Sequence, residues 1–220
     1  MILTLQLQTG VPTVQKTLRI ISLIVLILLP TFLFAQQEST STYREYEMGS
    51  QIFTFRAGPF IPAFMYRPSI EDGDALLSFS DTRMNVGGYG SIRYQGFLTS
   101  TLALGGELGY IFAYDKGEEL FTSVPIQAKL TYIPLQGRFE LPLSVGLGFA
   151  YNSLEGASVG SLFVSAEVGF SWFYTDNWGI TLSGGLHLIP ELYTKNHPNF
   201  HDSTLLGTMP ITLSLSYRNN

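Results

Sequence analysis

The chain has 220 residues, no cysteine, and 13% charged residues beside 45% hydrophobic ones, where soluble domains carry about 25% charge. So little charge does not cover a water-facing surface, and 12 Lys plus Arg against 17 Asp plus Glu, formally −5, leave no basic face for nucleic acid. The absence of cysteine excludes disulfides, zinc thiolates and a lipoprotein acylation site together.

The N-terminus reads as a targeting segment. Lys16 and Arg19 precede the apolar run IISLIVLILLPTFLFA, and polar QQESTSTYREYE follows at once. That order places a signal peptide over residues 1–35, with cleavage between Ala35 and Gln36. An uncleaved anchor helix is the competing reading, since Leu33 is larger than the usual residue three positions before a cleavage site. After this run no apolar stretch approaches the ~20 residues of a spanning helix, so a helical membrane protein is excluded for the mature chain. Residues 36–50, rich in Ser, Thr, Gln and Glu, are expected as a short flexible periplasmic arm.

From residue 51 onward the pattern has period 2. In PLSVGLGFAY, for example, Leu143, Val145, Leu147, Phe149 and Tyr151 share one face while Ser144, Gly146, Gly148 and Ala150 share the other. Eight strands are expected, at about 52–63, 83–95, 100–114, 121–133, 140–151, 159–173, 178–189 and 206–218. Connections 64–82 and 190–205 are long and lie at one end, with compact ones at 115–120 and 152–158. Those at 96–99, 134–139 and 174–177 are short and lie at the other end. Long loops on one side, tight turns on the other and an even strand count predict an all-β fold. It is an eight-stranded antiparallel up-and-down transmembrane β-barrel over residues 51–220. Aromatic girdles are expected from Tyr110, Phe112, Phe149 and Tyr151 toward the long loops. Toward the turns they are expected from Tyr94, Phe97, Tyr132, Trp172, Trp178 and Tyr217.

Two segments, LGGELGYIFAY and VSAEVGFSWFY, carry a lone carboxylate in an otherwise apolar run. The alternation points Glu107 inward between Gly105 and Gly109, and Glu167 inward between Ser165 and Gly169. The same count turns Arg56, Arg93, Lys129 and His187 inward, with Glu140 and Arg218 near the turn end, and leaves no charge facing out. A Lys or Arg facing lipid at the midplane costs about 2–4 kcal/mol, whereas a soluble barrel would have a charged outer face. A lumen ion network of Arg56, Arg93, Glu107, Lys129, Glu167 and His187 is therefore expected, either as a structural polar core or as a gate. A reversal centred on 116–119 sets Glu107 opposite Lys129, and the turn at 174–178 sets Glu167 opposite or diagonal to His187.

ELPLSVGLGFAYN, with its P-x-x-x-G-x-G pattern, and FYTDNWGITLSGGLHL, where aromatic and D-N residues lead into an alternating strand, carry a resemblance. Over roughly residues 51–220 the chain resembles the small eight-stranded outer-membrane barrels of the OmpA-barrel, OmpX and OmpW group. The resemblance implies a bacterial outer-membrane location, with outer-membrane lipids and the barrel assembly machinery as partners. One departure is that Tyr217 is followed by Arg218, Asn219 and Asn220, where many such barrels end on an aromatic.

Two roles fit such a barrel. The first is structural or surface-interacting, with loops 64–82 and 190–205 as contact surfaces for an extracellular ligand; the second is an OmpW-like conduit for small hydrophobic molecules. A conduit wants apolar inward residues, and this lumen carries Glu, Arg, Lys, Gly, Ser and Thr, which favours the first. A lipid-modifying outer-membrane hydrolase is a third, remote reading on His201 and Ser203. A triad needs an acid to orient its imidazole, and no acid follows Ser203. No enzymatic activity is expected. No metal site is expected from His187, His197 and His201, and no cofactor, because Gly87-Gly88, Gly105-Gly106 and Gly184-Gly185 lie inside strands with no helix to follow.

Overall fold

The computed structural model describes residues 45–67, 76–78, 82, 84–114, 117–154, 157–191 and 204–219. The junction Ala35/Gln36, loop residues 68–75 and 192–203, and with them His197, His201 and Ser203, lie outside the described residues.

The period-2 segments form β1 (Gln51–Tyr66), β2 (Leu76–Ser78), β3 (Gly87–Phe97), β4 (Leu102–Tyr114) and β5 (Leu120–Tyr132). After these come β6 (Phe139–Glu140), β7 (Leu143–Leu154), β8 (Ala157–Phe173), β9 (Trp178–Glu191) and β10 (Thr204–Asn219). Eight of these are the barrel strands; β2 only lengthens the edge of β1, and β6 pairs β8. Each long strand pairs antiparallel with the next, and β10 returns to β1 from Gln51↔Asn219 to Tyr66↔Leu205. That last pairing closes the sheet and leaves its long strands without free edges.

The strand expected at 140–151 is broken at Leu141 and Pro142, so that β6 and β7 are separate. Proline has no N–H to give the ladder, and only its carbonyl takes part, accepting from Gly169 N at 2.9 Å.

Burial follows the alternation. Leu108, Ile126, Val145, Leu147, Leu182 and Leu213 are all half exposed or more, as an apolar outer belt requires. Tyr110, Phe112, Phe149 and Tyr151 flank the belt on the loop side, and Tyr94, Tyr132, Trp172, Trp178 and Tyr217 on the turn side. Phe97, expected in that turn-side girdle, instead faces inward and is buried, two residues on from the inward Gln95. Among the described side chains of the long strands, every Lys, Arg, Asp and Glu is buried inside: Arg56, Arg93, Glu107, Lys129, Glu167 and Arg218.

The interior is layered. Toward the loops, Phe60, Ile111, Ala113, Ala150, Phe163, Ile189 and Leu206 pack around Tyr89. Toward the turns, Tyr46, Phe97, Ala103 and Ile133 pack together with Ile52 beside them. Between the two lies the polar layer. Of residues 45–50, expected as the end of a flexible arm, Tyr46 and Ser50 are buried, Tyr46 in an apolar seat at only 1% exposed, while Glu45, Glu47, Met48 and Gly49 are exposed.

Candidate functional site

The polar layer is built by inward positions on six strands. Arg93 and Glu107 face each other across the β3–β4 ladder. In the β8–β9 ladder Ser165 faces His187, which leaves Glu167 diagonal to the imidazole. Arg56 reaches in from β1 and Lys129 from β5.

These side chains converge on two carboxylates. Glu107 is held by Arg56 Nη1 at 3.1 Å, Arg93 Nε at 2.6 Å and, more loosely, Lys129 Nζ at 3.7 Å, and the Tyr89 hydroxyl also donates to it. Glu167 is held by Arg56 Nη1 at 2.9 Å, Arg93 Nη2 at 2.7 Å and Lys129 Nζ at 2.8 Å, with His187 Nε2 at 3.2 Å. Both arginines therefore bridge both acids. Further bonds reach the hydroxyls around the cluster, Arg56 Nη2 donating to Ser183 and Thr212 and Lys129 Nζ to Ser165, while His187 Nδ1 has no hydrogen-bond partner among the described residues. Moving an ion from water into such an interior costs several kcal/mol even after relaxation. Only this density of partners offsets it.

The facing partner of Glu107 is corrected by the ladder: Glu107 faces Gln127, and Lys129 faces Gly105. The ladder centres the β4–β5 reversal on Gly117, earlier than the facing of Glu107 and Lys129 requires, and the next residue, Glu118, takes the left-handed region at φ 67. A shift of two residues preserves which face a side chain occupies but changes its partner. Lys129 consequently sits nearer Glu167 than Glu107.

The glycines beside the acids act differently from one another. A Cβ on Gly109 would lie 3.0 Å from Tyr89 Cε2, so this glycine seats the ring whose hydroxyl reaches Glu107. Gly105 instead allows close backbone approach, since a Cβ there would collide with the Tyr94 carbonyl. Room for Glu167 comes from across the sheet, where a Cβ on Gly185 would lie 2.7 Å from Glu167 Cγ.

Below the cluster lies a cavity of about 50 Å³, lined by Arg93, Gln95, Thr131, Ser171, Thr181 and Ser216 among others. It has room for a few waters. Glu140 lines its turn side and is held from outside the cavity by Arg218, in an ion pair of 2.6 Å, and by the Tyr46 hydroxyl, which donates to the same carboxylate at 3.0 Å. Glu140 lies in the connection 133–142, outside the spanning strands, and burial pushes its carboxyl up to about 7 against the opposing pull of Arg218 and the Tyr46 hydrogen bond. Burial likewise raises the Tyr46 phenol well above its ordinary value, which keeps it a donor. Sequence reasoning missed Tyr89 and Tyr46. The first has a signal, being in phase with Arg93 on β3; the second has none, lying in a polar stretch without period.

An uncharacterised protein of Treponema pallidum (strain Nichols) is 32% identical over 106 residues, 48% of this chain and 47% of that protein. Another, of Borreliella burgdorferi (strain ATCC 35210 / DSM 4680 / CIP 102532 / B31), is 33% identical over 85 residues, 33% of this chain and 40% of that protein. The chain spans about half the length of the curated relatives it matches. Among solved structures, the crystal structure of Neisserial surface protein A matches with a TM-score of 0.52 at 12% identity, over 77% of this chain and 96% of that one. What is shared at that identity is the fold. The model of one uncharacterised protein family matches residues 34–217; the chain belongs to that family, and its fold is that of the small eight-stranded transmembrane β-barrels.

Proposed function

We propose that the protein is an integral outer-membrane β-barrel with a structural or surface-interaction role, a lumen held shut by ion pairs, and no enzymatic activity. The observation that carries this reading is the convergence of Arg56, Arg93, Lys129 and His187 on Glu107 and Glu167, between two apolar layers. A lumen filled in this way favours a plug over an OmpW-like conduit, whose passage would be lined by apolar side chains. The belt of outward Leu, Val and Ile suits outer-membrane lipids, and closure between β1 and β10 suits insertion by the barrel assembly machinery. Loops 64–82 and 190–205 are the proposed surfaces for an extracellular ligand, and residues 1–35 the proposed export signal, cut between Ala35 and Gln36.

Fractionation of expressing cells tests the location. A heat-modifiable band in outer-membrane vesicles, beginning at Gln36, is the expected result; a band in the inner membrane, or one beginning at Met1, overturns it. Liposome swelling with small sugars tests the lumen. Reconstituted protein should leave the swelling rate unchanged, and acceleration would move the reading to transport.

A further inference from the structure

The chain reverses just before β1. Ser50 N donates to Glu47 O and Glu47 N to Ser50 Oγ, each at 3.0 Å, and Gly49 takes the φ of 95° that such a reversal needs. Gly49 N donates to Phe97 O at 3.0 Å and Phe97 N to Ser50 O at 2.8 Å, which prolongs the β1–β3 ladder into the turn. The reversal sends Tyr46 back beneath the barrel. Its ring stacks on Phe97 with centroids 3.8 Å apart and planes 10° from parallel. Its backbone N–H donates to Gln136 Oε1 at 3.3 Å, and its hydroxyl donates to Glu140 Oε2.

From the far end of the chain, Arg218 meets the same carboxylate on Oε1 at 2.6 Å. Its guanidinium lies 4.0 Å over the Phe173 ring and 5.4 Å from the Tyr46 ring, and its Nε donates to Asp176 O at 2.6 Å. One carboxylate therefore ties the segment before the first barrel strand to the end of the last. Directly above it is the hydroxyl-lined chamber.

We propose that residues 45–50 form a strap that shuts the turn-side mouth of this chamber, with Tyr46 as its stopper and Glu140 and Arg218 as its catch. The strap is a second closure, distinct from the charge cluster in the middle of the lumen. Beyond the two backbone bonds of Gly49 and Ser50 to Phe97, Tyr46 is held by one turn, one stacked ring, the Arg218 guanidinium and two hydrogen bonds, whereas the pairings among the barrel strands run complete without it. The strap can therefore leave while the barrel stays closed as a sheet. This inference needs only the barrel fold, so it stands or falls separately from the outer-membrane role.

The chain has no cysteine, so a single introduced thiol reports on the chamber. Ser216→Cys places one on its wall, at a position 2% exposed, and Ser123→Cys places a control toward the loop end, at a position 0% exposed. Each is refolded in detergent, checked for heat-modifiability, and treated with a small charged methanethiosulfonate reagent. With Tyr46 in place, the Ser216→Cys thiol should react slowly. Adding Tyr46→Ala should accelerate it at least tenfold and leave the Ser123→Cys thiol unchanged. Fast reaction with Tyr46 present, an unchanged rate without it, or equal acceleration of both thiols overturns the strap. Should Tyr46→Ala fail to fold, Tyr46→Phe replaces it: the ring stays, the hydrogen bond to Glu140 goes, and an unchanged rate again overturns the proposal.

Discussion

Glu167 draws four basic side chains within 3.2 Å, and three cationic residues share the two mid-lumen carboxylates. Removing one member of a buried pair leaves the other uncompensated, at about 3–5 kcal/mol. Glu167→Ala should thus lower barrel stability by roughly that amount, read as the shift of the urea midpoint on heat-modifiability gels. Lys129→Met removes the surplus cation and should be tolerated better; a larger loss for Lys129→Met than for Glu167→Ala would contradict this ranking. The register also selects the right exchange. Swapping Arg93 and Glu107, which face each other, should recover more stability than swapping Glu107 and Lys129, which do not.

Glu140 gives a pH dependence. Its carboxyl is raised from 4.5 to about 7, so the folded state holds that proton more tightly than the unfolded one. Its contribution is full below about 4.5 and lost as pH rises through about 7. The unfolding midpoint should be higher at pH 5 than at pH 8, and Glu140→Gln should flatten that difference; an unaltered slope in the variant would remove Glu140 as its source. At this scale the sequence is legible wherever period 2 holds, which is why Glu107, Glu167, Arg56, Arg93 and Lys129 are readable as inward. Tyr46 is not, because its burial depends on Phe97, Glu140 and Arg218, all remote in the chain and none in phase with it.

The strands fix which substitutions reach lipid. Leu143 and Val168 face out, 39% and 51% exposed, while Ser144 lies on the inner face at 5%. Leu143→Arg, which faces the girdle residue Tyr132, and Val168→Arg should hinder assembly, by up to about 2–4 kcal/mol for a lipid-facing charge and less the nearer it lies to the interface, and Ser144→Arg less still, since it turns its guanidinium toward the chamber. Equal assembly of all three, scored by the fraction of heat-modifiable protein in vesicles, would reverse inside and outside. Strand number and faces are legible because a half-buried strand writes its two environments alternately along the chain. Register is not, since a slip of two residues leaves that alternation intact, and only the reversal around Gly117 and Glu118 decides it. The break at Pro142 is visible in the sequence, but that Phe139 and Glu140 pair with β8 across it is not.

The described barrel is a closed sheet with an apolar exterior and a three-layer filling, apolar toward the loops, ionic in the middle and apolar again toward the turns. Composition announces the exterior, because so few charges leave none for a surface in water. The filling is less legible: eight strands enclose a space just wide enough for side chains, and which of them meet depends on all the registers at once. The proposed plug requires that this filling leave no path for ions at rest. Single-channel recording in planar bilayers tests it most directly, on wild type beside Glu167→Ala. Wild type should show no steady open level, and Glu167→Ala brief or unstable openings once Glu167 no longer holds Lys129 and both arginines. A large steady pore in wild type, or identical traces from the two proteins, would contradict it.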